Sequence, residues 1–407
     1  MLRVLTENTL DREEKIMAEW IETHLSHILM DKGYIRGPFG SALKRGDMKE
    51  IGVPVYEQQH AIYNSRDFRY HIDEQKFNEM KRFQVRKDDL IISCSGTVGK
   101  VSIIKDDDPK GIISQALLLL RADTNKILPL YLKYFFSSSV GYNAIVSRSS
   151  GSVQVNIAKR SVIEQIPLRL PQIKTQRKIV RVLSSIDEKI EENERINNNL
   201  EQQAQAIYQQ MFIDNASSDW TEGTLIDIAD ITMGQSPSGS SYNEDGNGTI
   251  FFQGRAEFGF RFPTVRLYTT EPKRMACAND TLMSVRAPVG DLNVAHTDCC
   301  IGRGLAAIHS KNNHQSFALY TMFSLKKQLD VFNGEGTVFG SINRISLNEM
   351  PILIPSSEKL DEFEALVAPM DAAIRNNYDE ICRLEQLRDS LLPKLMSGEL
   401  DVSDIDL

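Results

Sequence analysis

At 407 residues, 41% of them hydrophobic and 25% charged, the chain has the composition of an ordinary globular protein of two or three domains, not of a disordered or fibrous one. No apolar run approaches the roughly 18 residues of a membrane span, and Met1-Leu2-Arg3 leads straight into Glu7, Asp11, Glu13 and Glu14, so no membrane segment or signal peptide is expected and the cytoplasm is the expected location. The net charge of −8 excludes a uniformly basic nucleic-acid binder, yet residues 20–170 hold 22 basic and 16 acidic residues while 355–407 hold 5 and 13, so local basic faces remain possible within an acidic chain.

Residues 1–19 read as a helical arm, with Asp11 and Glu14 spaced as a capping box ahead of Ile16. From 20 to 170, short β-branched runs at 90–93, 101–104 and 117–120 are broken by Gly, Pro, Ser and Asp, and one helix is predicted over 128–136. That pattern gives a compact α+β domain with many exposed loops, where recognition residues tend to sit. Gly96-Thr97-Val98-Gly99-Lys100 is half of a phosphate-binding loop, but Cys94 stands where that loop needs Gly and Val101 where it needs Ser or Thr. A turn between strands is expected there instead.

Residues 171–213 are the longest regular stretch. Ile179, Leu183, Ile186, Ile190, Asn193, Asn197, Leu200, Ala204, Ile207 and Met211 step by four and three in turn, which aligns them on one seam of a helix facing a partner helix. Two Asn in an apolar seam set register at some cost in stability. A helix of about 40 residues is roughly 60 Å long and needs a partner of similar length.

Beyond a linker at 214–219, residues 214–355 repeat the first domain: Trp20, Leu25 and Ile28 recur 200 residues later as Trp220, Leu225 and Ile228, strand-like runs recur at 282–285 and 305–308, and a helix is predicted over 317–329. A second long helix over 356–397 starts at Ser356 or Ser357 and carries the seam Phe363, Val367, Met370, Ile374, Asn377, Ile381, Leu384, Leu391 and Leu395, with Arg388 as its one charged intruder. Pro393 is expected to kink or end it a turn early, and Gly398 to stop it ahead of an acidic tail, 398–407. Pro167, Pro171, Asp187, Ile190, Asn193 and Leu200-Glu201-Gln202 reappear 184 residues on as Pro351, Pro355, Asp371, Ile374, Asn377 and Leu384-Glu385-Gln386. The chain is therefore a tandem duplication. Its fold class is α+β: two similar α/β domains, each followed by a long helix, the helices packing as an antiparallel coiled-coil-like pair with pseudo-twofold symmetry. Asn193 and Asn377, in equivalent positions, are expected to pair or to share a water.

Chemistry-bearing constellations are missing. The five cysteines include no pair spaced to chelate a metal, the histidines are scattered, and neither a dinucleotide fingerprint, a Ser-nucleophile elbow nor a His-Glu-x-x-His occurs. What recurs in both halves is polar, basic, turn-rich loops. In the first half these hold Ser41, Lys44, Arg45, Gln58, Gln59, Asn64, Arg66, Lys81, Arg82, Arg148, Ser150, Ser152 and Gln154; in the second, Ser238, Ser240, Tyr242, Gln253, Arg255, Arg286, Arg303, Thr337 and Arg344. Arg reads guanine, Gln and Asn read adenine, Ser and Thr adapt to either, and Lys and Arg hold phosphates, so these are the candidate DNA contacts. A non-catalytic scaffold with two protein- or glycan-binding domains is the alternative.

At Ile166-Pro167 through Pro171, Gln176-Arg177-Lys178-Ile179, Asp187 with Ile190, and Leu391-Leu392-Pro393-Lys394-Leu395-Met396-Ser397-Gly398, the chain resembles the DNA specificity subunits of type I restriction-modification systems. The resemblance implies that 20–170 and 214–355 are target-recognition domains, each reading half of a split site in double-stranded DNA. It implies that the helices at 171–213 and 356–397 space them and hold two methyltransferase subunits. By the same resemblance the chain itself does no chemistry and binds no cofactor. S-adenosylmethionine then belongs to the adenine methyltransferase partners, and ATP with Mg2+ to a restriction-motor subunit.

Overall fold

The computed structural model describes residues 20–39, 42–149, 155–334 and 340–402. The chain divides into two compact units, residues 1–190 with 382–407, and residues 191–381. The expected arm at 1–19 lies outside the described residues.

The strands of the first unit are β1 (Ile21–His24), β2 (Leu29–Arg36), β3 (Val53–Tyr56), β4 (His71–Ile72), β5 (Leu90–Ser93), β6 (Val101–Ile103), β7 (Ile112–Ile113), β8 (Leu117–Ala122) and β9 (Pro167–Leu170). They form a four-stranded sheet in the order β2-β8-β5-β6, a three-stranded sheet β4-β3-β7, and the pair β1-β9, which ties the domain's beginning to its end. Leu117 to Leu120 are all fully buried because both sheet faces are covered: Leu118 and Leu120 pack with Tyr131 and Leu132 of the helix Pro129–Ser137, and Leu117 and Leu119 with Tyr56 and Ile113. An unbroken apolar run, not an alternating one, is what a strand buried on both faces needs. Between β5 and β6 the half phosphate-loop is the expected turn, with Gly96 and Gly99 at φ +67° and +90°, a left-handed region open to glycine.

The second unit repeats this plan. Its strands are β10 (Thr221–Thr224), β11 (Ala229–Met233), β12 (Tyr242–Asn243), β13 (Thr249–Phe252), β14 (Leu267–Thr269), β15 (Met275–Ala276), β16 (Thr281–Ser284), β17 (Leu292–Val294), β18 (Cys299–Ile301), β19 (Leu305–Ser310) and β20 (Pro351–Ile354). The sheet β11-β19-β16-β17 answers β2-β8-β5-β6, the parallel pair β13-β18 answers β3-β7, and β10-β20 answers β1-β9.

The first long helix runs Ile173–Tyr208 and continues as a wider turn over Gln209–Asp214; the second runs Ser357–Ser397. Pro393 does not end the second helix a turn early, contrary to the expectation from sequence, since the helix runs on to Ser397. Leu392, Leu395 and Met396 are buried in the first unit's core, and that burial holds the last turn through the hydrogen bond proline removes. Gly398, at φ +81°, then stops it. Seam residues bury as the spacing requires: Ile179, Leu183, Ile186 and Ile190 in the first unit, and Ala204, Val367 and Ile374 in the second, with Leu200, Ile207 and Met370 packed partly buried on that core. Leu384 and Leu391 are half-buried.

The expected pairing of Asn193 with Asn377 does not occur. Within the second unit Asn193 Nδ2 donates to Glu380 Oε2 (2.8 Å) and Asn377 Nδ2 to Asn197 Oδ1 (2.9 Å). Advancing four residues along one helix moves the partner three residues back along the other, the signature of an antiparallel pair. Asn193 and Asn377, related by the repeat, are therefore not opposite one another.

A duplicated polar node joins each domain to its own stretch of long helix. In the first unit Tyr134 donates its hydroxyl proton to Asp187 Oδ2 (2.8 Å), and Lys133 (3.0 Å) and Arg388 (3.2 Å) flank the carboxylate. The charged intruder Arg388 thus has a partner. In the second unit Tyr320 donates to Asp371 (2.9 Å), and the buried Arg261 bridges Asp371 (3.0 Å) and Glu201 (2.9 Å). Helix-capping contacts add to the lock: Leu128 N donates to the buried Gln176 Oε1 (3.0 Å), and Phe317 N to Glu364 Oε1 (2.9 Å).

Candidate nucleic-acid interface

In the second unit one end of the main sheet opens on a cleft of about 500 Å3 lined by Met233, Val285, Arg286, Ala287, Arg303, Gly340, Ser341 and Ile342. Backbone hydrogen bonds shape it. Val285 N donates to Gly304 O (2.9 Å), Ile342 N to Val285 O (3.0 Å), Ala287 N to Gly340 O (3.0 Å) and Gly234 N to Leu305 O (2.9 Å). Arg286 and Arg303 are exposed at its mouth. The loop after β11 abuts Arg303, whose N–H donates to Ser236 Oγ (3.2 Å), and within that loop Ser238 and Ser240 bond each other (2.8 Å) while Tyr242 donates to Pro237 O (3.1 Å). Gln253 O accepts from Gly304 N (3.3 Å), next to Arg303, so of the second-unit candidates Arg286 and Arg303 line the cleft and Gln253 adjoins it through its backbone.

The first unit builds the same end of its sheet with the same bonds. Cys94 N donates to Ala116 O, Ile157 N to Cys94 O, Gly96 N to Val155 O and Gly37 N to Leu117 O, each at 2.9 Å. Gly37 and Gly234 are required by the close approach of strands here, since a Cβ on either would collide with the backbone of Ser114 or Gly302. Superposing the two bond patterns equates Arg36 with Met233, Ser95 with Arg286, Gln115 with Arg303 and Asn156 with Ser341; both Ser95–Asn156 and Arg286–Ser341 are isolated antiparallel bridges. Gln58 joins this site by accepting from Ser95 N (3.2 Å), and Ser95 Oγ donates to Asn156 Oδ1 (2.9 Å).

The model of the type I restriction modification DNA specificity domain matches the chain twice, over residues 41–202 and 217–375. The chain belongs to that family. It is 28% identical over 356 residues to the MjaX type I restriction enzyme specificity subunit of Methanocaldococcus jannaschii, covering 82% of this chain and 83% of that one. To the MjaIX type I restriction enzyme specificity subunit of the same organism it is 25% identical over 400 residues, covering 88% of each. Among solved structures, the S subunit of a type I restriction-modification system from M. genitalium aligns with 94% of this chain and 97% of its own at a TM-score of 0.59 and 16% identity, a likeness of fold. Specificity subunits are not themselves enzymes. Among the described residues of this one, no group of three His, Cys, Asp or Glu is placed to hold a metal, and no helix is long and apolar enough to cross a membrane.

Other candidate residues of the specificity subunit do not line the cleft or are already engaged. Arg66 is bidentate to Asp108 (2.7 and 2.8 Å) beside Asn64, which accepts from Ser102 Oγ (2.6 Å). Arg255 pairs with Asp291 (2.6 Å), Gln59 donates to Asp67 O (3.1 Å), and Arg148 donates to Ala144 O (2.9 Å). Lys44, Arg45, Lys81 and Arg82 are exposed on turns, and Arg344 is exposed two residues beyond Ile342 of the cleft. Ser41, Ser150, Ser152, Gln154 and Thr337 lie outside the described residues. Sequence reasoning missed Arg36, Ser95, Gln115, Asn156 and Ser341. For Ser95 a signal existed, because 89–99 and 280–290 align without a gap and set it opposite Arg286.

Proposed function

We propose that the equivalent sheet ends of the two units read different halves of a bipartite target in double-stranded DNA, the first unit one half and the second the other. Two methyltransferase subunits, and through them restriction-motor subunits, assemble on the chain. The observation that carries this reading is the repeated sheet end: one set of backbone bonds occurs in both units, but the side chains presented differ at each equivalent position, as two readers of different sequences require. Ser95, Gln58, Gln115 and Asn156 offer amides and hydroxyls suited to adenine edges, whereas Arg286 and Arg303 offer guanidinium forks suited to guanine. Exposed Lys44, Arg45, Lys81, Arg82 and Arg344 serve as phosphate contacts, which position without selecting. Arg66 and Arg255, held by Asp108 and Asp291, shape their loops. S-adenosylmethionine is expected on the methyltransferase partners, and ATP with Mg2+ on the motor.

The test exchanges residues 214–355 for the matching segment of a relative in the assembled methyltransferase complex and maps the methylated sites. One half of the motif should change and the other persist; a change in both halves, or in neither, refutes the assignment. Arg286→Ala and Arg303→Ala should each weaken discrimination at the second half-site by about 1 to 3 kcal/mol while leaving the first half as it was.

A further inference from the structure

Arg36 stands at the end of β2, paired with Leu118 of β8, the position Met233 holds opposite Ala306 in the second unit's cleft. Its side chain is half-buried, and its Nη1 is buried with no hydrogen-bond partner among the described residues. Leaving a charged donor desolvated and unpaired is costly, and such groups in folded proteins are normally bonded. The guanidinium lies against the buried Cys94, a poor acceptor, and 5.8 Å from the ring of Phe39, which is 68% exposed. A phosphate contact calls for a solvated, mobile cation. With Nη1 closed off, this guanidinium is held in place and the side chain is only partly exposed, and a guanine edge brings two acceptors, O6 and N7, to a guanidinium's parallel donors.

We infer that Arg36 selects a guanine in the half-site read by the first unit, with Phe39 holding the guanidinium plane from its flank. The inference rests on the reading of the first unit as a DNA reader and names the base and the residue. Met233 at the equivalent place explains why the second unit needs arginines from elsewhere: its cleft floor is apolar there, and Arg286 and Arg303 supply the forks from the rim.

The substitution Arg36→Met installs the residue that the same fold already carries at this position, and Arg36→Lys keeps the charge without the fork. Each is assembled with its methyltransferase partners and given a DNA library randomised across the target, and the methylated molecules are sequenced. Arg36→Met should lower the preference for guanine at one position of one half-site by about tenfold or more, Arg36→Lys should restore it only in part, and the other half-site should be read as in the wild type, which also reports that the protein is folded. A uniform loss across all sequences with a shallower salt dependence makes Arg36 a phosphate contact and overturns the inference, as does an unchanged motif. Exchange of residues 20–170 for a relative's segment runs in parallel. If that exchange alters no half-site, the reading of the first unit as a reader fails; if it alters one while Arg36→Met does not, only the role of Arg36 fails.

Discussion

The two Tyr–Asp nodes have the same geometry and opposite charge balance. In the first unit one carboxylate, Asp187, faces two cations, Lys133 and Arg388; in the second, one cation, Arg261, faces two carboxylates, Asp371 and Glu201. The titration of each follows. Burial pushes Asp187 up, but Lys133, Tyr134 and Arg388 together outweigh it and hold the carboxyl below its ordinary range. Burial also pushes Glu201 up, and there the pull of Arg261 does not overcome burial and the charge of Asp371, so the carboxyl stays above its ordinary range. Duplication preserved the hydrogen-bonding scaffold and left each copy to find counter-charges in its own surroundings. The second copy's solution depends on a single residue.

That difference predicts unequal damage. Arg261, only 5% exposed, is the one cation of its node among the described residues, and Arg261→Met leaves two carboxylates without that counter-ion, so the second unit should lose about 3 to 5 kcal/mol. Hydrogen exchange resolved by unit during denaturant titration measures it, and a loss near zero would mean that the carboxylates are simply neutral in the fold. Lys133, at 23% exposure, shares its node with Arg388 and Tyr134, and Lys133→Met should cost the first unit about 1 kcal/mol or less by the same measurement. On the seam, Asn197→Leu alone removes the partner of the Asn377 amide and should cost about 1 kcal/mol, whereas Asn197→Leu with Asn377→Leu should be close to neutral. A double mutant as damaged as the single would show that the pair bond does not matter.

The smallest effect is in pH. Glu201 has a raised pKa in the folded state, so its contribution is fully present below its unfolded value, about 4.3, and is lost as pH rises through the folded value. Asp187 is lowered, so its contribution is fully present above about 3.9 and is lost only as pH falls through the still lower folded value. Bringing the protein from pH 7 to 5 should tighten the helix around Glu201 and leave that around Asp187 unchanged, read as amide protection corrected for intrinsic exchange. Asp280 and Glu364 are also raised by burial, and they push the second unit the same way. The node's own share is therefore the part of the response that Glu201→Gln removes, and a response equal in the two proteins would exclude Glu201 as its source.

The seam, the main strands, the two domain helices and the stop at Gly398 were legible because each rests on local periodicity or on one backbone preference. Partner choice was not. Asn193 and Asn377 look paired when the repeat is read along the chain, and only antiparallel packing shows that Asn197 meets Asn377. Arg66 and Arg255 look like free recognition residues because their carboxylates, Asp108 and Asp291, lie 42 and 36 residues away. Arg36 stands out only once its register against Leu118 is known. Composition and turn chemistry locate the loops, but strand register decides which side chains a cleft receives.

The division of the chain also bears on its synthesis. The core of the first unit is closed by Leu392, Leu395, Met396 and Val402, whereas the second unit is one continuous segment, 191–381. A ribosome therefore translates all of the second unit before the last wall of the first has been made. The nascent first domain must wait with part of its apolar interior uncovered, which makes it the half exposed to chaperones and proteases. A stop codon near 382 would spare the later-made unit and harm the earlier one.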